Sequence, residues 1–435
     1  MNLALLGATV TLLPLLVPRG PGNTAPVDLL AAAFLFSVLV TVVRQRRRLE
    51  VPAPVPLALI AAGSLLAFAV SDSPKITLLT LLVDVYLLLL CMAVINQLHH
   101  DERRLRIVLV IWAVSCIVWT TIMLAAYFHV LPSSLLELLQ MQAEAKRTSG
   151  PTGQKPNLAA SYLVVSFFVL RASPWPRRRP ARVLAAGWLL LGVFATGSLG
   201  GLLGVVVGSA FLVTGNLFRR GHTPFEVQGL VGALLLAVVL PAAALFAVAG
   251  VPRPSLSQVD LVSEQAKNGA LAYSVGRLDN SLGGRIVLWT AALQKAGPSL
   301  LTGIGPGAAK TELSISNGSV DENGVLRVFS LHTDFLAFLV ERGVLGLLGL
   351  LGLYAVLLRR SAWLFRAQAN VGRLQVLGPA VAANIADSFF HETLHYRHVV
   401  LMFALLWVAS NLSVIGSRAP AVPHSSPGEA LHAVR

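Results

Sequence analysis

Charge is scarce in this chain. Aspartate, glutamate, lysine and arginine make up 12% of its 435 residues, whereas an average soluble protein carries about 25%. Acidic residues number 20 against 34 basic ones, and there are two cysteines. So few charges cannot clothe an ordinary soluble surface. Two cysteines cannot frame a disulfide scaffold or a cysteine-based zinc site. Cys91 and Cys116 both fall in apolar runs, where cysteine behaves as a small buried hydrophobe. Internal repeats and heptad seams are also missing.

What fills the chain instead is apolar, at 55% of residues. Apolar runs recur at about the 17–25 residues that a helix needs to cross a bilayer. They read as roughly twelve transmembrane helices, near 3–18, 27–43, 55–71, 76–98, 105–127, 157–173, 183–198, 199–217, 229–249, 343–358, 374–390 and 398–416. The fold class expected is all-α and polytopic. Residues 1–249 would hold nine helices, 250–332 a large helical extracytoplasmic loop, 333–416 three more helices, and 417–435 a disordered cytoplasmic tail rich in Pro, Ser and Ala.

The charges give an independent check. Basic clusters follow every second run: Arg44 with Arg46, Arg47 and Arg48; Arg103, Arg104 and Arg106; Arg177, Arg178, Arg179 and Arg182; Arg219 and Arg220; Arg359, Arg360 and Arg366. That alternation is the positive-inside pattern and puts both termini in the cytoplasm. The net charge of +14 is therefore a topology signal. Its arginines sit at helix ends and form no continuous face, so no nucleic-acid partner is expected. The first apolar run lacks a basic leader and a small-residue cleavage site, and reads as a retained helix.

Two outer segments interrupt the rhythm. Residues 128–156 carry a short amphipathic stretch, Leu135 to Met141, suited to the bilayer interface. They end in Arg147-Thr-Ser-Gly-Pro-Thr-Gly-Gln-Lys155-Pro-Asn157. The segment 250–331 contains Gly284-Arg285-Ile-Val-Leu-Trp289 at helical spacing, then the turn Thr302-Gly-Ile-Gly-Pro-Gly307, and returns to the membrane at His332.

In this order these stretches resemble the O-antigen ligase and O-antigen polymerase superfamily of bacterial envelope glycosyltransferases. The first is similar to its Arg, then Gly, then Pro-Asn approach to a helix. The second is similar to its Gly-Arg-x-x-x-Trp helix and following Gly-x-Gly-Pro-Gly turn. The third, His332-Thr-Asp-Phe-Leu-Ala-Phe-Leu-Val-Glu341-Arg-Gly343-Val-Leu-Gly346, is similar to its His, small polar residue, nine residues and Gly-x-x-Gly. Thr333 stands where that family prefers Asn, Ser or Gln. Thr196-Gly-Ser198-Leu199 stands where it often carries a Ser-Arg pair, so one expected cation is absent.

The resemblance implies a GT-C-like membrane glycosyltransferase in the bacterial cytoplasmic (inner) membrane, its active site facing the periplasm or cell exterior. The donor implied is a glycan on a polyprenyl (undecaprenyl) diphosphate, and the acceptor is a lipid or glycan such as lipid A core. Cleaving the anomeric C–O bond leaves charge on the diphosphate, which fixed cations stabilise best where water is scarce. The planar fork of Arg suits phosphate. Arg147, Lys155 and Arg285 are the candidates, with contact to lipid headgroups or solvent as the alternative for each. The attacking hydroxyl must lose a proton, and His332 is the side chain suited to accept it near neutral pH. Glu341 and Asp334 follow it; a carboxylate there either orients His332 or satisfies Arg342. Catalysis is thus assigned to His332, Arg285 and Glu341, and substrate binding to Arg147, Lys155, Asn157, His391 and Arg397. No cofactor, metal or nucleotide is expected.

Other readings compete. His391-Glu392-Thr-Leu-His395 fits the H-E-x-x-H zinc-protease pattern, yet it ends a helix and no third-ligand segment follows. A polar lining of the sugar pocket, with Asp387 and Arg397, is the preferred reading. Gly303 to Thr311 vaguely resembles a P-loop, but it lacks the Gly-Lys pair and follows no strand. Asp84, inside the fourth run, is either functional or paired within the bundle. Polymerisation of carrier-linked repeats is the alternative within the class. A lipid or oligosaccharide transporter is the alternative outside it, though transporters place their charges near the midplane.

Overall fold

A computed structural model describes residues 2–17, 25–46, 49–99, 101–139, 143–144, 147–152, 155–219, 285, 288–313, 316–320, 326–328, 331–366 and 372–418. The expected run at 229–249, most of the large loop and the tail lie outside these residues. The helices are α1 (Asn2–Thr11), α2 (Pro26–Gln45), α3 (Pro54–Val70), α4 (Pro74–Leu98), α5 (Glu102–Tyr127), α6 (Ser133–Leu138), α7 (Pro156–Ala172), α8 (Arg179–Thr196), α9 (Leu199–Arg219), α10 (Ala309–Glu312), α11 (Asp334–Arg366), α12 (Leu377–Ser388) and α13 (Arg397–Arg418). Two small antiparallel hairpins join them: β1 (Ala143–Glu144) with β2 (Arg147–Thr148), and β3 (Ser316–Val320) with β4 (Leu326–Val328). The protein is an all-α membrane protein apart from these.

A helix stands at each of the other expected runs. Among the described residues five are long and apolar enough to cross a membrane: α2, α4, α5, α11 and residues 199–217 of α9; α1, α3, α7 and residues 397–413 of α13 are apolar but shorter. A count of twelve spans is therefore not fixed by length. Proline opens α2, α3, α4, α7 and α8. Its locked φ suits a first turn, and its missing N–H would have no intrahelical partner there. α1 stops at Thr11, short of the expected 18, because Pro14 cannot continue the hydrogen-bond ladder.

Between α7 and α3 the burial pattern reverses. Every residue from Leu158 to Leu170 of α7 is buried, so this helix forms the centre. It packs against α5, α8, α9, α12 and α13. Within a bilayer such contacts rest on close packing and interhelical hydrogen bonds more than on water exclusion. One is Trp112 Nε1 donating to Ser166 Oγ at 2.9 Å, between α5 and α7. By contrast α3 leaves Val55, Leu65, Leu66 and Val70 exposed, the mark of a lipid-facing helix. It holds to α11 along a seam of small residues, where a Cβ on Gly63 would stand 2.6 Å from the Arg342 carbonyl.

α11 is longer at both ends than the expected 343–358. Arg359, Arg360 and Arg366, read from sequence as a loop cluster, are helical. The guanidinium of Arg360 turns inward to Ser410 at 2.6 Å and Asn411 at 2.8 Å and lies over the Trp407 ring. α13 thus supplies polar partners that let a helix carry arginine past the apolar run.

Candidate functional site

The site is built around a break in α11. Gly343 has φ 69° and ψ −170°, a conformation open to glycine and strained for other residues. The break releases two carbonyls from their helical donors. Ile304 N donates to Val340 O and Gly305 N to Glu341 O, both at 3.0 Å, while Val344 N reaches Leu301 O at 3.3 Å. The glycine-rich turn 302–307 therefore plugs the broken helix and is no phosphate loop. Gly305 sits at φ 116°, and a Cβ there would meet Thr77 Oγ1 at 2.5 Å. Gly307 N then donates to Glu341 Oε2 at 2.9 Å and fixes that carboxylate.

His332 precedes the helix with φ 53°, a left-handed backbone that few non-glycine residues adopt. Two long-range bonds hold this turn. Trp289 Nε1 donates to Leu331 O at 2.9 Å, and His332 N donates to Glu392 Oε1 at 3.2 Å. Asp334, close behind in the chain, accepts from Thr393 N at 3.0 and 3.1 Å and from Thr393 Oγ1 at 2.8 Å. Segment 389–396 is thereby stapled to the start of α11. The two roles expected of a carboxylate here, orienting His332 or satisfying Arg342, do not describe these contacts. Glu341 accepts from Gly307, and Asp334 caps Thr393.

Arg285 lies with its guanidinium 5.2 Å from the centre of the Phe390 ring, a cation–π contact. Burial lowers its pKa to about 10, opposed by the charge of Asp387, so it remains a cation at neutral pH. Burial, then the charge of Arg285, then those of His391 and Lys310 hold His332 at about 4. The imidazole is therefore neutral and can accept a proton. The structure brings together Arg285, His332 and His391.

The two histidines of the H-E-x-x-H sequence part company. His391 Nδ1 stands 2.7 Å from Asp387 Oδ1, both side chains buried. His395 Nε2 stands 2.9 Å from Asp84 Oδ1 on α4, and Asp84 Oδ2 pairs with Arg342 at 2.8 Å. Arg342 donates in turn to Ser64 Oγ at 2.7 Å. Burial disfavours charge on His395, but the hydrogen bond and charge of Asp84 override it and raise its pKa. The segment is not helical, so the two rings do not share a helix face as zinc-protease ligands do. Among the described residues no group of three His, Cys, Asp or Glu could hold a metal.

The other expected contacts are dispersed. Arg397 takes the Asp28 carboxylate of α2 through Nε and Nη2, and Tyr86 donates to the same carboxylate at 2.9 Å. Arg147 is on β2, Lys155 is exposed just before α7, and Asn157 is in the first turn of α7. Sequence reasoning misses Glu392 as a partner of His332, since the two are 60 residues apart and no spacing rule links them.

Residues 184–351 match the family described as O-Antigen ligase. No curated protein matches the chain. The matched segment encloses Arg285, the plugging turn, His332, Glu341 and the break at Gly343. Over that segment the chain is similar to the O-antigen ligase family.

Proposed function

We propose that the protein transfers a glycan from a polyprenyl diphosphate carrier to an acceptor outside the bacterial cytoplasmic membrane, as an O-antigen ligase does with lipid A core. One observation carries the reading. Arg285, a half-buried cation, stands beside His332, a half-buried neutral imidazole, at the point where a loop enters α11. In the step proposed, the acceptor O–H bond breaks and His332 takes the proton. The freed oxygen bonds to the anomeric carbon. The anomeric C–O bond to the diphosphate breaks, and the leaving group departs with the electron pair toward Arg285. A diphosphate there also offsets the charge that depresses His332, so donor binding makes the base stronger. Glu341 and Glu392 frame the acceptor side. Arg147, Lys155 and Asn157 are assigned to the donor path at the start of α7, and His391 to the sugar pocket.

The test is direct. Purified protein is incubated with a polyprenyl-diphosphate glycan and candidate acceptors, with and without EDTA. Glycan–acceptor product, unaffected by EDTA, is expected. Lengthened carrier-linked chains instead would assign polymerisation, and loss with EDTA followed by rescue with zinc would return His391 and His395 to a metal role. No reaction with any acceptor sinks the transfer reading.

A further inference from the structure

Beside His332, between α4, the plugging turn and segment 389–396, lies a cavity of about 290 Å³. Its polar lining is Glu341, Glu392, His395, Lys310 and Thr80. Three of these side chains are anchored from behind: Glu341 by Gly307 N, Glu392 by His332 N, and His395 by Asp84. Hydrogen-bonding groups fixed in advance lose little entropy when a ligand arrives. One wall is aliphatic, Leu79 and Val83. It continues into the outward face of α4, where Leu78 and Leu82 are also exposed.

We propose that this cavity is the acceptor subsite and that it takes an uncharged, hydroxyl-bearing sugar ring; this rests on the transfer reading above. Carboxylates accept hydrogen bonds from hydroxyls, an ammonium and an imidazole can donate to sugar oxygens, and Thr80 Oγ1, which itself donates to Ile76 O at 3.0 Å, can accept. The aliphatic wall suits the C–H face of a ring. A diphosphate fits poorly. Two carboxylates would face it across the cavity against the one ammonium of Lys310, and His395 already shares its charge with Asp84. The phosphate-seeking cation, Arg285, stands on the Phe390 side of His332. Glu392 bridges the two regions, since one oxygen holds His332 N while the side chain lines the cavity. A hydroxyl bound to Glu392 is thus delivered beside the proposed base. A lipid-anchored acceptor would leave its anchor on the exposed face of α4.

Two measurements test this. Thr80→Cys places a thiol in the lining, and the native Cys91 and Cys116 are 9% and 0% exposed, so background is small. Purified protein is treated with 2-aminoethyl methanethiosulfonate or its anionic 2-sulfonatoethyl counterpart. The cationic reagent should react faster, and Glu392→Gln in the Thr80→Cys background should narrow the difference. A faster sulfonate, or no reaction with either reagent, overturns the proposal. In transfer assays Glu392→Gln should raise the acceptor KM about tenfold, the loss expected for one charged hydrogen bond, and leave the donor KM unchanged. A rise in the donor KM alone would make the cavity part of the donor site and overturn the assignment. Wild-type protein that transfers normally while Glu392→Gln keeps its acceptor KM sinks the subsite alone. Wild-type protein that transfers nothing sinks the transfer reading itself.

Discussion

Segment 389–396 carries two histidines four residues apart, and their surroundings differ in kind. The His395 side is closed. Arg342, Asp84, His395 and Ser64 form a chain in which each charge meets an opposite charge or a hydroxyl. The His391 side is more open. His391 Nε2, Asp387 Oδ2 and both amide atoms of Asn384 are buried with no hydrogen-bond partner among the described residues. On the His395 side the atoms so placed are Arg342 Nε and Asp84 Oδ2, and the latter is ion-paired with Arg342. A polar group left without a partner in an apolar interior costs about 1–3 kcal/mol. Polar residues within a membrane domain are retained because they are paired or because they act. The first network is scaffold, holding α3, α4 and α11 around the cavity. In the proposed function the second, with Arg285 and His332, is the part that binds the substrate.

The largest effect should come from breaking the closed side. Arg342→Ala removes the buried cation that answers the half-buried Asp84, and breaking a buried pair costs up to about 3–5 kcal/mol. The variant should fail to accumulate in the membrane or lose several degrees of thermal tolerance in detergent. Replacing both partners, Asp84→Leu with Arg342→Met, should restore accumulation, because an apolar pair of similar volume needs no compensation. Normal accumulation of Arg342→Ala alone would mean that Asp84 finds water, and that the network is not structural.

On the open side the opposite pattern is expected. His332→Ala should accumulate normally and lower turnover at saturating donor by about 10²–10⁴, the usual contribution of a positioned base. Near-normal turnover would remove His332 as the base and bring His391, oriented by Asp387, or Glu341 forward. Arg285→Ala should weaken donor binding as well as turnover, because it removes a contact to the diphosphate. Arg285→Lys should recover part of both, since an ammonium lacks the planar fork. If all these variants fail to accumulate, the open cluster is scaffold too, and the contrast disappears.

That contrast is half visible in the sequence. Apolar runs of spanning length locate the helices because a bilayer imposes length and composition together. Arg285 and His332 are marked by local spacing within motifs. The start of α11 is not, and hydropathy places it at 343, because Glu341 and Arg342 look like a polar boundary before an apolar run. They are helical and partly or wholly buried because their partners are remote. Arg342 reaches Ser64 across 278 residues of sequence, and Glu341 meets a backbone amide of the plugging turn. Periodicity cannot report such pairings. For the same reason H-E-x-x-H is legible as a pattern while the divergence of its two rings is not. Only the fold brings Asp387 to one and Asp84 to the other.

The smallest effect is also the most discriminating. His332 is held at about 4 by burial first and by the Arg285 charge second. Its unfolded value is about 6.5. As pH falls below that value the unfolded chain binds a proton that the native protein refuses, so the contribution of His332 to stability declines between the two values. In the proposed mechanism the base is the neutral ring. The kcat/KM of the free enzyme should therefore stay level through mild acidity and fall as pH passes about 4. In the donor complex the diphosphate offsets the Arg285 charge, so kcat should begin to fall at a higher pH than kcat/KM does. Arg285→Ala should move the kcat/KM inflection upward and bring the two profiles together. Both profiles are measurable with one radiolabelled donor across a buffer series. An inflection already at the ordinary histidine value, unmoved in Arg285→Ala, would show that guanidinium and imidazole do not sense each other, and Arg285 and His332 would then belong to separate sites.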